Sequence, residues 1–288
     1  MSALRRLSTN IVDVLTSDGQ YIRAFATSRG PVVARVAQVN PEALTVTLDG
    51  DLREHKRALA LVKRMLGIDR DIGYFSRASE GIPWLSPLAE RMHGVRPPRY
   101  PTLWEACVNA IVFQQISLHA ASAIMRRLIL ALGKSVDSEG VAVYTFPTAE
   151  GFLGAEDDIL RTAGLSPGKL STLRRVAEAL AAGALEEAML EERSSPDAIA
   201  LLRAIKGIGP WTATVILLRG LGRLDVFPMN DSSVARNLSL VSSSDRIDVE
   251  STLDSLSPQQ GMLYYHLLLA RLEARDDLGR ASGSKEIE

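Results

Sequence analysis

The stretch Ser195-Pro-Asp-Ala-Ile-Ala-Leu-Leu-Arg-Ala-Ile-Lys-Gly-Ile-Gly-Pro-Trp-Thr-Ala-Thr-Val-Ile216 decides the fold. Ser195 suits a helix N-cap, Pro196 the first helical position, and Asp197 the positive end of the helix dipole. That helix must stop at Lys206-Gly207, where glycine supplies a left-handed exit. Gly209 ends the turn and Pro210 opens the next helix, so the spacing predicts a helix-hairpin-helix at about 196–219. A hairpin of this kind turns the backbone N–H groups of Gly207, Gly209 and Trp211 outward at a helix N-terminus. Such a cluster receives one phosphate, and Lys206 adds a charge beside it. Carbonyls on the other side, at Arg203, Ile205 and Ile208, can hold a monovalent cation. The plainer reading is that Gly-Ile-Gly-Pro connects two packed helices.

Working outward, the pattern is almost wholly helical from Thr102 onward. Leu103, Ala106, Cys107, Ala110, Ile111 and Phe113 form an apolar stripe that runs into Gln114-Gln115-Ile116-Ser117. Further helices are expected at 120–132, 170–182, 197–205, 211–218, 233–240 and 263–274. The first third reads differently. Four short β-branched runs, at 11–15, 21–25, 32–36 and 44–48, are separated by turn chemistry and predict an antiparallel meander. A helix then follows and ends at Gly67, and Pro97-Pro98 with Pro101 reads as a hinge. The fold class is therefore mainly α with an N-terminal α+β subdomain. Its expected divisions are 1–99, 100–275, and a polar flexible tail at 276–288.

Composition narrows the classes. The 288 residues carry a formal net charge of −1, which speaks against a chain that coats nucleic acid by bulk electrostatics, though not against a local patch. One cysteine excludes an internal disulfide framework, a four-cysteine zinc site and a protein-bound iron–sulfur cluster. The histidines, at 55, 93, 119 and 266, lack metal-ligand spacing. Charged residues interrupt every hydrophobic run, and the N-terminus lacks the apolar stretch of a signal peptide. A cytoplasmic protein, with no membrane partner, is the expectation.

The segment Leu202 to Arg236, with Asp231 following the hairpin, resembles the helix-hairpin-helix/Gly-Pro-Asp signature of DNA base-excision glycosylases. Within that superfamily it is most similar to the DNA-3-methyladenine glycosylase II group. The likeness extends over Trp104 to Ala121 and Phe146 to Leu180, and the N-terminal sheet corresponds to the small β-domain of that group. The resemblance implies a helix-hairpin-helix glycosylase fold preceded by a small antiparallel sheet. It also implies an enzyme, nucleoid-associated when bound, that flips alkylated bases out of double-stranded DNA and hydrolyses the N-glycosidic bond; the sequence offers no oligomerisation signal, so a monomer bound one-to-one to DNA is the default.

The site residues follow from the same resemblance. Asp231 is the carboxylate that faces the sugar, where positive charge builds as the base departs; capping the next helix is its ordinary alternative. Lyase-active relatives carry a lysine where Trp211 stands, so a monofunctional enzyme is implied, with Trp211 stacking on the base or packing in the core. Gln114, Gln115, Ile116 and Ser117 match the turn that wedges into the duplex. Lys169, in Gly164-Leu-Ser-Pro-Gly-Lys169, matches a second phosphate-facing turn, or else a solvated loop. Lys206, Gly207, Ile208 and Gly209 complete the DNA-binding set. Tyr264, Tyr265 and Phe25 are candidates for rebuilding a base pocket in which aromatic positions of the family read Val215, Ser232 and Ala270. No cofactor is implied beyond a structural Na or K ion at the hairpin. A noncatalytic lesion binder, or a glycosylase for oxidised or deaminated bases, are the competing readings.

Overall fold

The computed structural model describes residues 10–40, 42–229, 231–241 and 247–274. Strands β1 (Val14–Leu15), β2 (Tyr21–Phe25), β3 (Val32–Asn40) and β4 (Ala43–Asp49) pair antiparallel in sequence order, the meander that the turn chemistry predicts. Helix α1 (Leu52–Leu66) is capped by Asp51, whose side chain accepts from the Arg53 amide, and ends on Gly67 at φ 63°. Its Ala58, Val62 and Met65 pack against Tyr21, Phe25, Val32, Ala34 and Val36 on one sheet face.

Every residue of β2 is buried, because the other sheet face is covered too. There a hairpin of β5 (Ser135–Ser138) and β6 (Val141–Tyr144) places Val143 against Ile22, Ala24 and Val33, and Thr145 bridges Ala24. This hairpin corrects the wholly helical reading after Thr102. Its sequence signal is Glu139-Gly140, both at positive φ, set between the alternating Val136 and Val141-Ala-Val143.

The remainder is helical. Helices α2 (Gly73–Glu80), α3 (Ser86–Arg91), α4 (Leu103–Val112) and α5 (Leu118–Leu132) precede the hairpin. After it come α6 (Ala149–Gly154), α7 (Asp157–Thr162), α8 (Pro167–Ala181), α9 (Glu187–Glu191) and α10 (Ser195–Arg203). Helix α11 (Pro210–Ile216) runs into a π turn at Leu217–Leu221, and α12 (Ser232–Val241), α13 (Val249–Leu256) and α14 (Gly261–Ala274) follow. Cys107, Ile111, Leu173, Leu202, Ile216 and Leu263 meet in one core, which also takes in Phe75, Leu88 and Met92 from before the proline segment. Burial pushes the Cys107 thiol up to about 12, so this cysteine is an inert core residue.

The expected hinge at Pro97–Pro101 is instead a pinned strap. The Arg99 amide donates to the Met65 carbonyl at 3.2 Å and the Tyr100 amide to the Arg219 carbonyl at 2.8 Å. The Arg99 guanidinium holds both Asp69 oxygens, at 2.6 and 2.7 Å. Below it, buried Arg23 of β2 donates to Asp13 at 2.6 Å and to Glu105 of α4 at 2.5 Å, tying the sheet to the first long helix of the helical core. The tail expected at 276–288 lies outside the described residues.

Candidate active site and nucleic-acid interface

The hairpin forms where the glycines dictate, with its cap displaced by one residue. Ser194, not Ser195, caps α10 by accepting from the Asp197 amide at 3.3 Å. Ser195 is drawn inward, donating to Asp225 at 2.6 Å and accepting from Arg223 at 3.0 Å, and so anchors the loop that leads to Asp231. Gly207 takes φ 103°, and a Cβ there would overlap Thr172 Oγ1 of α8 and lie 2.9 Å from its Cβ. Glycine is therefore required twice over, by backbone conformation and by space. Gly209 is extended, at φ −86° and ψ 177°, and Pro210 opens α11.

The amides of Gly207 and Gly209 find no acceptor among the described residues, whereas the Ile208 amide closes on the Ile205 carbonyl at 3.0 Å. Lys206 is exposed beside them. The Ile208 side chain is buried in the core, so only its backbone faces the hairpin surface. The carbonyls of Arg203 and Ile208 accept no hydrogen bond among the described residues, and that of Ile205 accepts one. Neutral carbonyl oxygens on a fixed turn fit a monovalent cation. No cluster of three or more His, Cys, Asp or Glu among the described residues offers a harder metal site.

Three loops knit into one surface. Gln114, closing α4, donates through Nε2 to Thr212 Oγ1 of α11 at 2.6 Å and lies 3.4 Å from the Gly207 carbonyl. Gln115 sits at φ 55°, a left-handed conformation that a long side chain rarely adopts, and it projects into solvent with Ile116 and Ser117. Ser117 in turn caps α5, accepting from the Ala120 amide at 3.2 Å. Lys169 lies apart from the phosphate-facing role that the resemblance implies. Its ammonium is spent on the carbonyls of Val112 and Gln114, at 2.7 and 2.9 Å, and burial lowers its pKa. A cation on the last carbonyls of α4 satisfies that helix end and fixes the turn carrying Gln115.

Asp231 stands where the hairpin, α12 and α14 converge. Its Oδ2 accepts from Trp211 Nε1 at 3.0 Å and from Tyr264 OH at 3.1 Å, while Oδ1 accepts from the Ser233 amide at 2.8 Å. It is thus a helix cap and a shared acceptor at once. Each oxygen has its own work, and the side chain is held in one orientation. Burial, then the adjoining Asp231 charge, raises the Tyr264 pKa, so its hydroxyl stays a donor at ordinary pH. Phe227 meets Tyr264 edge-on at 6.4 Å.

Two expected pocket residues lie elsewhere. Tyr265 is buried, its hydroxyl donating to the Leu218 carbonyl at 3.1 Å, because neighbours on a helix point about 100° apart and Tyr264 takes the site side. Phe25 packs in the sheet core under α1. The residues that sequence reasoning missed are Tyr100, Arg219 and Asp13. Arg219 stacks 4.9 Å above the Tyr100 ring, and its charge interacts with Tyr100, Tyr265, Tyr264 and Asp13. The available signal was its spacing, since Trp211, Val215 and Arg219 recur every fourth residue along α11 and its π extension.

A helical core that presents a glycine hairpin, a wedge-like turn and a hydrogen-bonded aspartate defines a base-excision repair architecture. The chain belongs to the HhH-GPD superfamily of base excision DNA repair proteins, whose family model matches residues 108–258. It is 30% identical over 220 residues to the probable bifunctional transcriptional activator/DNA repair enzyme AlkA of Mycobacterium tuberculosis, covering 74% of this chain and 42% of that protein. The chain therefore spans less than half the length of that relative. Among solved structures, the 3-methyladenine DNA-glycosylase from Archaeoglobus fulgidus matches at TM-score 0.78 and 27% identity, covering 94% of this chain and 92% of that one. The Schizosaccharomyces pombe 3-methyladenine DNA glycosylase Mag1, in complex with abasic DNA, matches at TM-score 0.55 and 26% identity, covering 68% and 96%.

Proposed function

We propose that this protein is a monofunctional DNA glycosylase that removes alkylated purines of the 3-methyladenine and 7-methylguanine type and leaves an abasic site. The observation that carries the reading is Asp231, oriented by Trp211, Tyr264 and the Ser233 amide beside the hairpin. As the base leaves, positive charge develops on the deoxyribose, and a carboxylate already fixed in place stabilises it without reorganising. The same carboxylate can orient the attacking water. Trp211 offers an indole where a lyase needs an amine, and an electron-rich ring suits an electron-poor alkylated base.

DNA binding follows from the knitted surface. The hairpin amides and exposed Lys206 take one phosphate, with a Na or K ion on the Arg203, Ile205 and Ile208 carbonyls adding positive charge behind it. Gln115 fills the gap left by the flipped nucleotide, with Ile116 beside it and Ser117 closing the turn. That the Schizosaccharomyces pombe relative is in complex with abasic DNA supports DNA as the partner. One monomer acts on one lesion, in whichever compartment holds the DNA; among the described residues no helix is long and apolar enough to cross a membrane. Mass spectrometry of DNA carrying several lesions should detect free 3-methyladenine and 7-methylguanine, and borohydride should trap no protein–DNA adduct. Tight lesion binding without base release would favour the noncatalytic reading, and release of oxidised bases alone would reassign the substrate.

A further inference from the structure

Helix α8 carries the basic side chains Lys169, Arg174 and Arg175, and the first two serve internal ends. Lys169 holds the last turn of α4, and Arg174 donates to the carbonyls of Phe152, Leu153 and Ala155 and to Asp157. Arg175 instead reaches the glycine hairpin. Its Nη1 donates to the Lys206 carbonyl at 3.3 Å, and no carboxylate pairs with it among the described residues. One turn earlier on the same face, Thr172 is the residue against which Gly207 packs. Thr172 Oγ1 is already spent on the Gly168 carbonyl at 2.9 Å. Among the described residues Arg175 therefore supplies the side-chain hydrogen bond that joins α8 to the hairpin.

That hydrogen bond acts on both ends of one peptide unit. The Lys206 carbonyl and the Gly207 amide belong to the same planar trans group, so they point in opposite directions. Drawing the carbonyl towards α8 turns the Gly207 N–H away from it, to the exposed side, where it meets no acceptor among the described residues. A charged donor on the carbonyl also polarises the peptide and strengthens its N–H as a donor. Without that hold, a peptide leading into a glycine has wide freedom to rotate. We propose that Arg175 is a positioning residue, which aims the Gly207 amide at a DNA phosphate by holding the Lys206 carbonyl and does not itself touch the phosphate. This rests on the reading of the hairpin as a phosphate site.

The test is binding of an abasic duplex, across a range of salt concentrations, by the full chain and by Arg175→Met and Arg175→Lys. Arg175→Met should weaken binding by about five-fold. The slope of log affinity against log salt should stay as it is, because no phosphate contact is removed. Arg175→Lys keeps a charged donor and should recover most of the loss; a loss that lysine does not recover would mark a merely structural arginine and overturn the proposal. Arg175→Gln stands in if Arg175→Met fails to fold, and should lose affinity in the same direction. A slope shallower by about one in Arg175→Met would make Arg175 a direct phosphate ligand and overturn the positioning role. Affinity within about two-fold of wild type in a folded variant would overturn it as well. An unaltered protein that does not bind the duplex would overturn the hairpin reading, and this role with it.

Discussion

At the scale of single residues, environment decides which chemistry a side chain can do. Asp231 was legible through its place after the hairpin in the family resemblance, and its hydrogen bonds leave room for both readings, helix cap and reactive group. Tyr264 and Tyr265 were not separable, since sequence gives neighbours but not the rotation of the helix that carries them. Arg219 was missed for a similar reason: its meaning depends on Tyr100 and Asp13, which reach it from distant parts of the chain. His266 allows a prediction at this scale. Burial lowers its pKa below 6.5, while its Nδ1–H donates to the Met262 carbonyl at 2.8 Å and its ring meets Phe75 at 4.6 Å. The unfolded chain therefore takes up the proton more readily than the folded one. The stability this gives is present above about pH 6.5 and is lost as pH falls through the folded value. Thermal melts should drop between pH 7 and about 5, and His266→Phe should flatten that slope; an equal slope in the variant would refute the assignment.

Elements were legible in proportion to their length and to the strength of their ends. The sheet, α1, α4, α5, α8 and the hairpin helices have either clear periods or strong stop signals, such as Gly67 at φ 63°. The segments α6, α7, α9 and α13, none longer than 8 residues, show too few turns for a period to emerge. The β5–β6 hairpin hides because Glu-Gly is a weaker turn signal than Asn-Gly. The glycine hairpin itself makes the sharpest claim. Gly207→Ala must strain a left-handed residue, at about 1–3 kcal/mol, and also displace buried Thr172. Melting should show that loss, and DNA affinity should fall with it. Lys169→Met should leave the hairpin intact but loosen the turn that carries Gln115, weakening abasic-DNA binding by several-fold; unchanged affinity would mean the turn holds its shape without the ammonium.

At the scale of the molecule, the near-neutral charge and the DNA surface are reconciled by economy of contact. Backbone amides, one exposed lysine and an anchored turn occupy one face, and several arginines serve as internal struts. Arg64 reaches the carbonyls of Tyr100 and Gly220, Arg99 that of Arg64, and Arg223 those of Leu190 and Arg193. The deepest strut is Arg23 between Asp13 and Glu105, which fixes the sheet to α4. Glu105→Ala leaves that guanidinium half unpaired in the interior and should cost about 3–5 kcal/mol, read by denaturant unfolding. Apart from Arg23–Asp13, which are 10 residues apart, each of these pairings joins groups at least 30 residues apart, so none of those is visible in the sequence. The whole arrangement serves one carboxylate, and the direct trial of the account is Asp231→Asn under single-turnover conditions on a 3-methyladenine duplex. Asparagine keeps the size but has one acceptor oxygen, which can serve Trp211 and Tyr264 or the Ser233 amide but not both; abasic-DNA affinity should stay within about three-fold while base release falls by at least about 100-fold. Base release at an undiminished rate would contradict the assignment of Asp231 as the group that stabilises the departing base's sugar.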